Sequence, residues 1–167
     1  MRSFSPDTPT VMGKAFVGSP GTTIPNSVNP AGDYTTILTF QSLVSDKRGD
    51  IIDLANNRLL VPHGFAWCRV LYNMAFAANA TGWRGCRIKN SAGNNYGNVR
   101  IVSVGAGATT NVQCVTSWLI VSEVASLAPD QIQAGSYFEL YPAQTSGGDL
   151  VCGADTASSF VQIEFAN

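Results

Sequence analysis

At 167 residues the chain suits one domain, long enough to bury about two-thirds of its unfolded surface and cramped for two. Only 13% of the residues are charged and the formal net charge is -1, which removes general attraction to nucleic acid or anionic membrane and suits a surface covered by copies of itself or by a larger assembly. The only histidine is His63, and Cys68, Cys86, Cys114 and Cys152 are widely spaced with no CxxC pair, so no metal or cofactor is expected and the thiols read as buried, reduced small hydrophobes.

Residues 1-33 hold Pro6, Pro9, Pro20, Pro25 and Pro30, five of the eight prolines, so the segment reads as an extended arm, unsuited to a helix or much central strand. Phe4, Met12, Phe16 and Ile24, with Val11, Val17 and Val28, are apolar anchors that a free linker would not need. The arm is therefore expected to order by docking on neighbouring subunits or on a different protein. No window approaches the length of a membrane span, and the N-terminus lacks the continuous apolar core of a signal peptide, so folding in a reducing cytoplasm is expected.

From Tyr34 to the end, the pattern predicts strands near 35-45, 57-62, 66-77, 83-90, 97-104, 110-121, 135-142, 149-153 and 158-166, a spacing typical of all-β sandwiches. Val70, Tyr72, Met74 and Phe76 alternate with Arg69, Asn73 and Ala75, the period of a strand with one buried face. The turn Asn79-Ala80-Thr81-Gly82 reverses the chain, and Cys86 and Ile88 resume the alternation against Arg87 and Lys89, which predicts a hairpin. Residues 122-131 alone could hold a helical turn, limited by Pro129. Val161, Ile163 and Phe165 alternate with Gln162 and Glu164 in what should be a central strand.

Charge is segregated along the chain. Residues 54-122 carry Arg58, Arg69, Arg84, Arg87, Lys89 and Arg100 and no acid, while residues 123-167 carry Glu123, Asp130, Glu139, Asp149, Asp155 and Glu164 and no base. Cross-strand pairing within one subunit accounts for this, and pairing between subunits is the alternative. Arg48-Gly49-Asp50 matches an adhesion tripeptide but also an ordinary polar turn, and Asn79-Ala80-Thr81 matches a glycosylation acceptor but also a turn. A nucleophilic triad would have to be built at His63, and Asp50 and Asp53 read better as polar caps than as a catalytic pair. Trp83, Arg84, Tyr96 and Arg100 interleave aromatic and basic residues; the balanced charge argues against a nucleic-acid platform, and an intersubunit or target-binding surface or a core Trp with solvated arginines remain as readings.

Three short stretches carry a resemblance: residues 57-64 (NRLLVPHG), residues 78-88 (ANATGWRGCRI), and residues 134-140 (AGSYFEL) with 144-148 (QTSGG). Together they resemble the C1q/TNF-like jelly roll of bacteriophage virion proteins, over roughly residues 35-167, although Tyr137 and Phe138 are adjacent where that family's signature has a Gly-x-Tyr-x-Phe run. The resemblance implies a jelly-roll β-sandwich forming homotrimers, a binder or scaffold rather than a catalyst, made in the host cytoplasm and carried on the virion surface. Its leading implication is a capsid decoration or cement protein contacting the major capsid protein or other virion proteins. The alternative is the receptor-binding tip of a tail or head fibre that meets a host surface receptor. A polysaccharide-degrading enzyme would need a carboxylate pair that the sequence does not display.

Overall fold

A computed structural model describes residues 10-17, 20-27, 34-102, 109-124, 128-153 and 159-167, with the side chains of 10, 11 and 97-102 excepted. Among the described residues there are fourteen strands and no helix. They are β1 (Thr10–Phe16), β2 (Thr22–Ile24), β3 (Ser42–Asp46), β4 (Ile52–Asp53), β5 (Arg58–Leu60), β6 (Trp67–Phe76), β7 (Trp83–Asn90), β8 (Asn95–Val102), β9 (Thr110–Val115), β10 (Leu119–Ser122), β11 (Gln131–Gln133), β12 (Tyr137–Gln144), β13 (Leu150–Cys152) and β14 (Phe160–Ala166).

The strands form two layers of a β-sandwich, antiparallel except where β10 meets β11. One layer runs β4-β5-β12-β7-β8. The other resolves into tracks: β10 and β9 lie end to end along one side of β6, β14 and β13 along its other side, β1 and β2 outside these, and β3 at the edge beyond β1. Flanked by β6 and β1, β14 is a central strand, as its alternation predicts. Between the layers, Leu59, Cys86, Ile88, Phe138 and Leu140 from the β4-β5-β12-β7-β8 layer meet Val70, Tyr72, Met74, Val161, Ile163 and Phe165 from β6 and β14 of the other in one apolar core. The Tyr72 hydroxyl crosses the layers to donate to the Cys86 carbonyl at 3.3 Å, so even the polar end of this core residue is satisfied.

Two expectations are corrected by this topology. β6 and β7 do not form a hairpin: β6 pairs with β14, β9 and β10, whereas β7 pairs with β12 and β8 in the opposite layer. Alternation reports only that one face is buried, and two strands facing each other across a core satisfy it as well as two strands side by side. Nor do the described residues of the segment 1-33, 10-17 and 20-27, lie apart as an arm. β1 is hydrogen-bonded between β14 and β3, and β2 pairs with β13, so within this one chain Met12 packs on the core and Ile24 is fully inside it. Pro20 and Pro25 flank β2 rather than interrupting it, where a missing N–H is tolerated. Phe16 keeps an outward position beside Phe160, and Phe4 lies outside the described residues.

The cysteines are free, with Cys68, Cys86 and Cys152 buried and Cys114 half-buried. Among the described residues no helix is long and apolar enough to cross a membrane.

Candidate functional site

The outer faces of the two layers and one sheet edge carry the chain's interaction chemistry. On the face made by β9, β6, β14 and β1, Leu71 stands between Val115 and Gln162, and Phe160 between Asn73 and Phe16, because partners in register share a face. Leu71, Tyr72, Asn73, Gln113, Val115 and Phe160 line a shallow hollow of about 400 Å³ there. A polar seam runs beside it: the Arg69 Nε donates to Glu164 at 2.6 Å, the Gln162 amide donates to the same carboxylate at 2.8 Å, and the Trp118 ring lies under the guanidinium at 4.6 Å. Lys14 sits over the Phe160 ring at 4.1 Å. At the edge, β3 pairs as a strand only with β1 among the described residues and exposes Leu43 by 48% and Val44 by 44%. An open strand edge bearing two exposed aliphatic side chains is a template for a neighbour.

The outer face of the other layer is a ladder of cations on aromatic rings. Arg58 lies over Tyr137 at 3.9 Å, Lys89 over Tyr141 at 4.1 Å and Arg87 over Tyr34 at 3.9 Å. Glu139 stands at the centre and accepts from the Arg58 Nε at 2.9 Å and the Tyr141 hydroxyl at 2.7 Å. That hydrogen-bonded carboxylate holds the Arg58 guanidinium above its ordinary value, and burial followed by the Glu139 charge pushes the Tyr141 phenol up to about 12.

The segregated charges meet inside the subunit. Arg58 pairs with Glu139, Arg69 with Glu164, and His63 with Glu123 at 2.5 Å, each a base from the middle third with an acid from the last. Antiparallel packing of the two thirds accounts for these three pairs within one chain.

Of the four residues singled out for an interface, Trp83 and Arg84 are buried within the chain. Trp83 and Arg84 are neighbours in β7 and therefore point to opposite faces. Trp83 is covered by Tyr34 and Ala143, with ring centroids of Trp83 and Tyr34 6.2 Å apart. Arg84 is fully buried and donates to the carbonyls of Thr81, Trp83 and Asn79 at 2.9, 3.0 and 3.1 Å, so it is neither exposed nor solvated. Tyr96 is half-buried, and Arg100 lies opposite Gly85 in β8.

The short motifs resolve as turns. Arg48 closes on its own Asp50 through two contacts of 3.1 and 3.2 Å, while the Asp46 carboxylate accepts from the backbone N–H groups of Arg48, Gly49, Ile51 and Ile52. Partial burial opposes the Asp46 charge, but these four donors outweigh it and hold the carboxyl below its ordinary value. Asn79 accepts from the N–H of Thr81 at 2.9 Å, a local turn closure. Asp53 caps its turn through Asn56, whose side chain and N–H hold that carboxyl low as well. His63 is exposed and faces Glu123, and among the described residues no three His, Cys, Asp or Glu side chains gather as a metal site.

Sequence reasoning passed over Leu43, Val44, Leu71, Val115 and Trp118 as surface residues. Their signal is weak because an outward aliphatic residue in a strand looks like any other member of an apolar run.

No protein-family model matches the chain, and no curated protein matches it. Among solved structures it is similar to a mutant VP2 protein of infectious bursal disease virus in derived T=1 particles, with a TM-score of 0.48, 10% identity, and coverage of 99% of this chain and 38% of that one. It is also similar to a structure of the infectious bursal disease virus Gt strain, with a TM-score of 0.46, 11% identity, and coverage of 98% and 38%. The chain thus spans well under half the length of either.

Proposed function

We propose that the chain is a non-enzymatic virion structural protein, a homotrimeric C1q/TNF-like jelly roll that decorates and cements a bacteriophage head by contacting the major capsid protein. The observation that carries this reading is the open edge of β3, where Leu43 and Val44 are exposed beside an outer sheet face bearing Phe16, Phe160, Leu71 and Val115. Covering a Leu or Val side chain contributes about 1.5–3 kcal/mol, so a few such residues repeated around a closed ring suffice to hold a trimer. Docking through strand edges and faces suits a subunit lying on a shell; a fibre tip would display its apolar contacts on loop ends. Among the described residues of the 1-33 segment, Phe16 keeps an outward, half-buried position suited to this contact.

Native mass spectrometry of the purified chain should give three times 17.7 kDa. Leu43→Glu with Val44→Glu should leave the β-rich circular dichroism intact, shift the mass to that of the monomer, and abolish co-sedimentation with expanded phage heads. A wild-type monomer that binds host cells and ignores heads would replace this reading with the fibre-tip one.

A further inference from the structure

The geometry points to a groove for neutral oligosaccharide on the rim of the sandwich, between the 91-96 turn, the 117-119 link and the 128-130 turn. Two adjoining hollows of about 440 and 270 Å³ share Asn95, Tyr96 and Pro129 as common walls and make up the groove. Its size falls in the range of small-ligand sites. Its lining is two aromatic rings, Tyr96 and Trp118, with exposed short polar groups from Asn94, Asn95 and Asp130.

Each wall is fixed before any ligand arrives. Asn90 holds the turn by accepting from the N–H groups of Ala92 and Asn94 at 3.0 and 2.9 Å. The Tyr96 hydroxyl donates to the Gln131 carbonyl at 2.8 Å and accepts from the Asn90 amide at 3.2 Å, while its ring meets Phe138 edge-on. With the hydroxyl engaged, what Tyr96 offers the cleft is its apolar ring. Trp118 is steadied by the Arg69 guanidinium, itself tied to Glu164. The third wall is closed by Gln131, whose N–H donates to the Ala128 carbonyl and whose side chain accepts from the Ala128 N–H, both at 3.0 Å.

A pyranose ring has an apolar C–H face and a girdle of hydroxyls, which need aromatic surface and small amide or carboxylate partners respectively. An anionic polymer needs cations, and here the nearby Arg69 is neutralised by Glu164 while Asp130 adds negative charge. This inference is independent of the trimer and of head binding, and its failure leaves both standing.

The test is a titration of the full chain with maltohexaose, mannohexaose and galactohexaose, and with a heparin hexasaccharide as the anionic arm. Tryptophan fluorescence and the side-chain amide NMR signals of Asn94 and Asn95 are followed. At least one neutral hexasaccharide should shift both signals with a Kd on the order of 1 mM. Trp118→Ala should weaken that binding about tenfold, while Trp118→Phe, which keeps an aromatic ring in the wall, stays within about threefold. The inference is overturned by no response to any neutral sugar, by heparin binding more tightly than all of them, or by binding that Trp118→Ala leaves unchanged.

Discussion

Gly82 sits against Thr145 so closely that a Cβ added to the glycine would lie 1.7 Å from the Thr145 carbonyl oxygen. Around this contact the Trp83 N–H donates to the Thr145 hydroxyl and the Thr145 N–H to the Trp83 carbonyl, each at 3.1 Å, and the Thr81 hydroxyl donates to the Ser146 carbonyl at 2.9 Å. The crossover from one layer to the other is thereby clamped to the end of β12. Gly82 also has a φ of +72°, so an alanine there meets both strain and a backbone atom that cannot move cheaply. Gly82→Ala should cost about 3 kcal/mol or more in urea unfolding, while Gly93→Ala, with a similar φ but open space around it, should cost only about 1 kcal/mol. Equal losses for the two would mean that the clamp contributes nothing.

The Asp46 turn gives stability a definite pH dependence. Its carboxyl is held below the ordinary 3.8, so its contribution is complete above that pH and is lost as pH falls below it, through the lower folded-state value. Asp46→Asn removes the charge and the second acceptor oxygen for the four N–H groups. At neutral pH it should cost about 1 kcal/mol, allowing for solvent screening of this part-exposed site. The difference from wild type should shrink as the pH is lowered through the acid range. Parallel urea titrations check this; a difference that is constant with pH would place the effect in the loop's packing instead.

The sheet layout was legible in part, and the reason is visible in particular residues. Val161, Ile163 and Phe165 announce a central strand because their alternation with Gln162 and Glu164 runs uninterrupted and all three are buried. The β6–β7 crossover was read as a hairpin because Val70 and Ile88 face each other through the core with the same alternation that neighbouring strands would show. β1 was hidden by the prolines around it and by Gly13 and Lys14 within its run, which weaken the apolar pattern although Ala15 and Val17 are fully buried. The short stretches behind the family resemblance meet in pairs: the 79-84 stretch lies on 144-148, and Val61 exchanges backbone hydrogen bonds with Gly135 and Ser136. The groove at Tyr96 was beyond sequence reasoning, since Trp118 joins it from a different part of the chain and only folding brings the two rings to one cleft.

Thiol reactivity should follow burial. Desolvation pushes the Cys68 thiol up to about 12 and the Cys86 and Cys152 thiols well above the usual range, and it raises half-buried Cys114 more modestly. A thiol-disulfide reagent at pH 8 should therefore modify the native chain slowly and at Cys114 alone, and all four cysteines once it is unfolded. Rapid native labelling of more than one thiol would show that the core opens far more readily than its packing implies.

Arg84 and Arg58 should behave oppositely when salt is added. Arg84 has no exposed surface and spends its hydrogen bonds on the carbonyls of the 79-83 turn; no carboxylate among the described residues is bonded to it, and desolvation lowers its affinity for the proton. Replacing it with methionine removes three hydrogen bonds to backbone carbonyls, of which the Trp83 carbonyl keeps the Thr145 N–H; the loss, about 2 kcal/mol, should not vary with ionic strength, because the interaction removed is with neutral dipoles. Arg58 is one-third exposed and acts through the Glu139 charge, so Arg58→Met should destabilise less, and that smaller loss should decline between 0.05 and about 0.5 M NaCl as the screening length contracts. Urea unfolding of both variants across that salt series separates the cases: a salt-dependent Arg84 effect would reveal a carboxylate partner for the buried guanidinium.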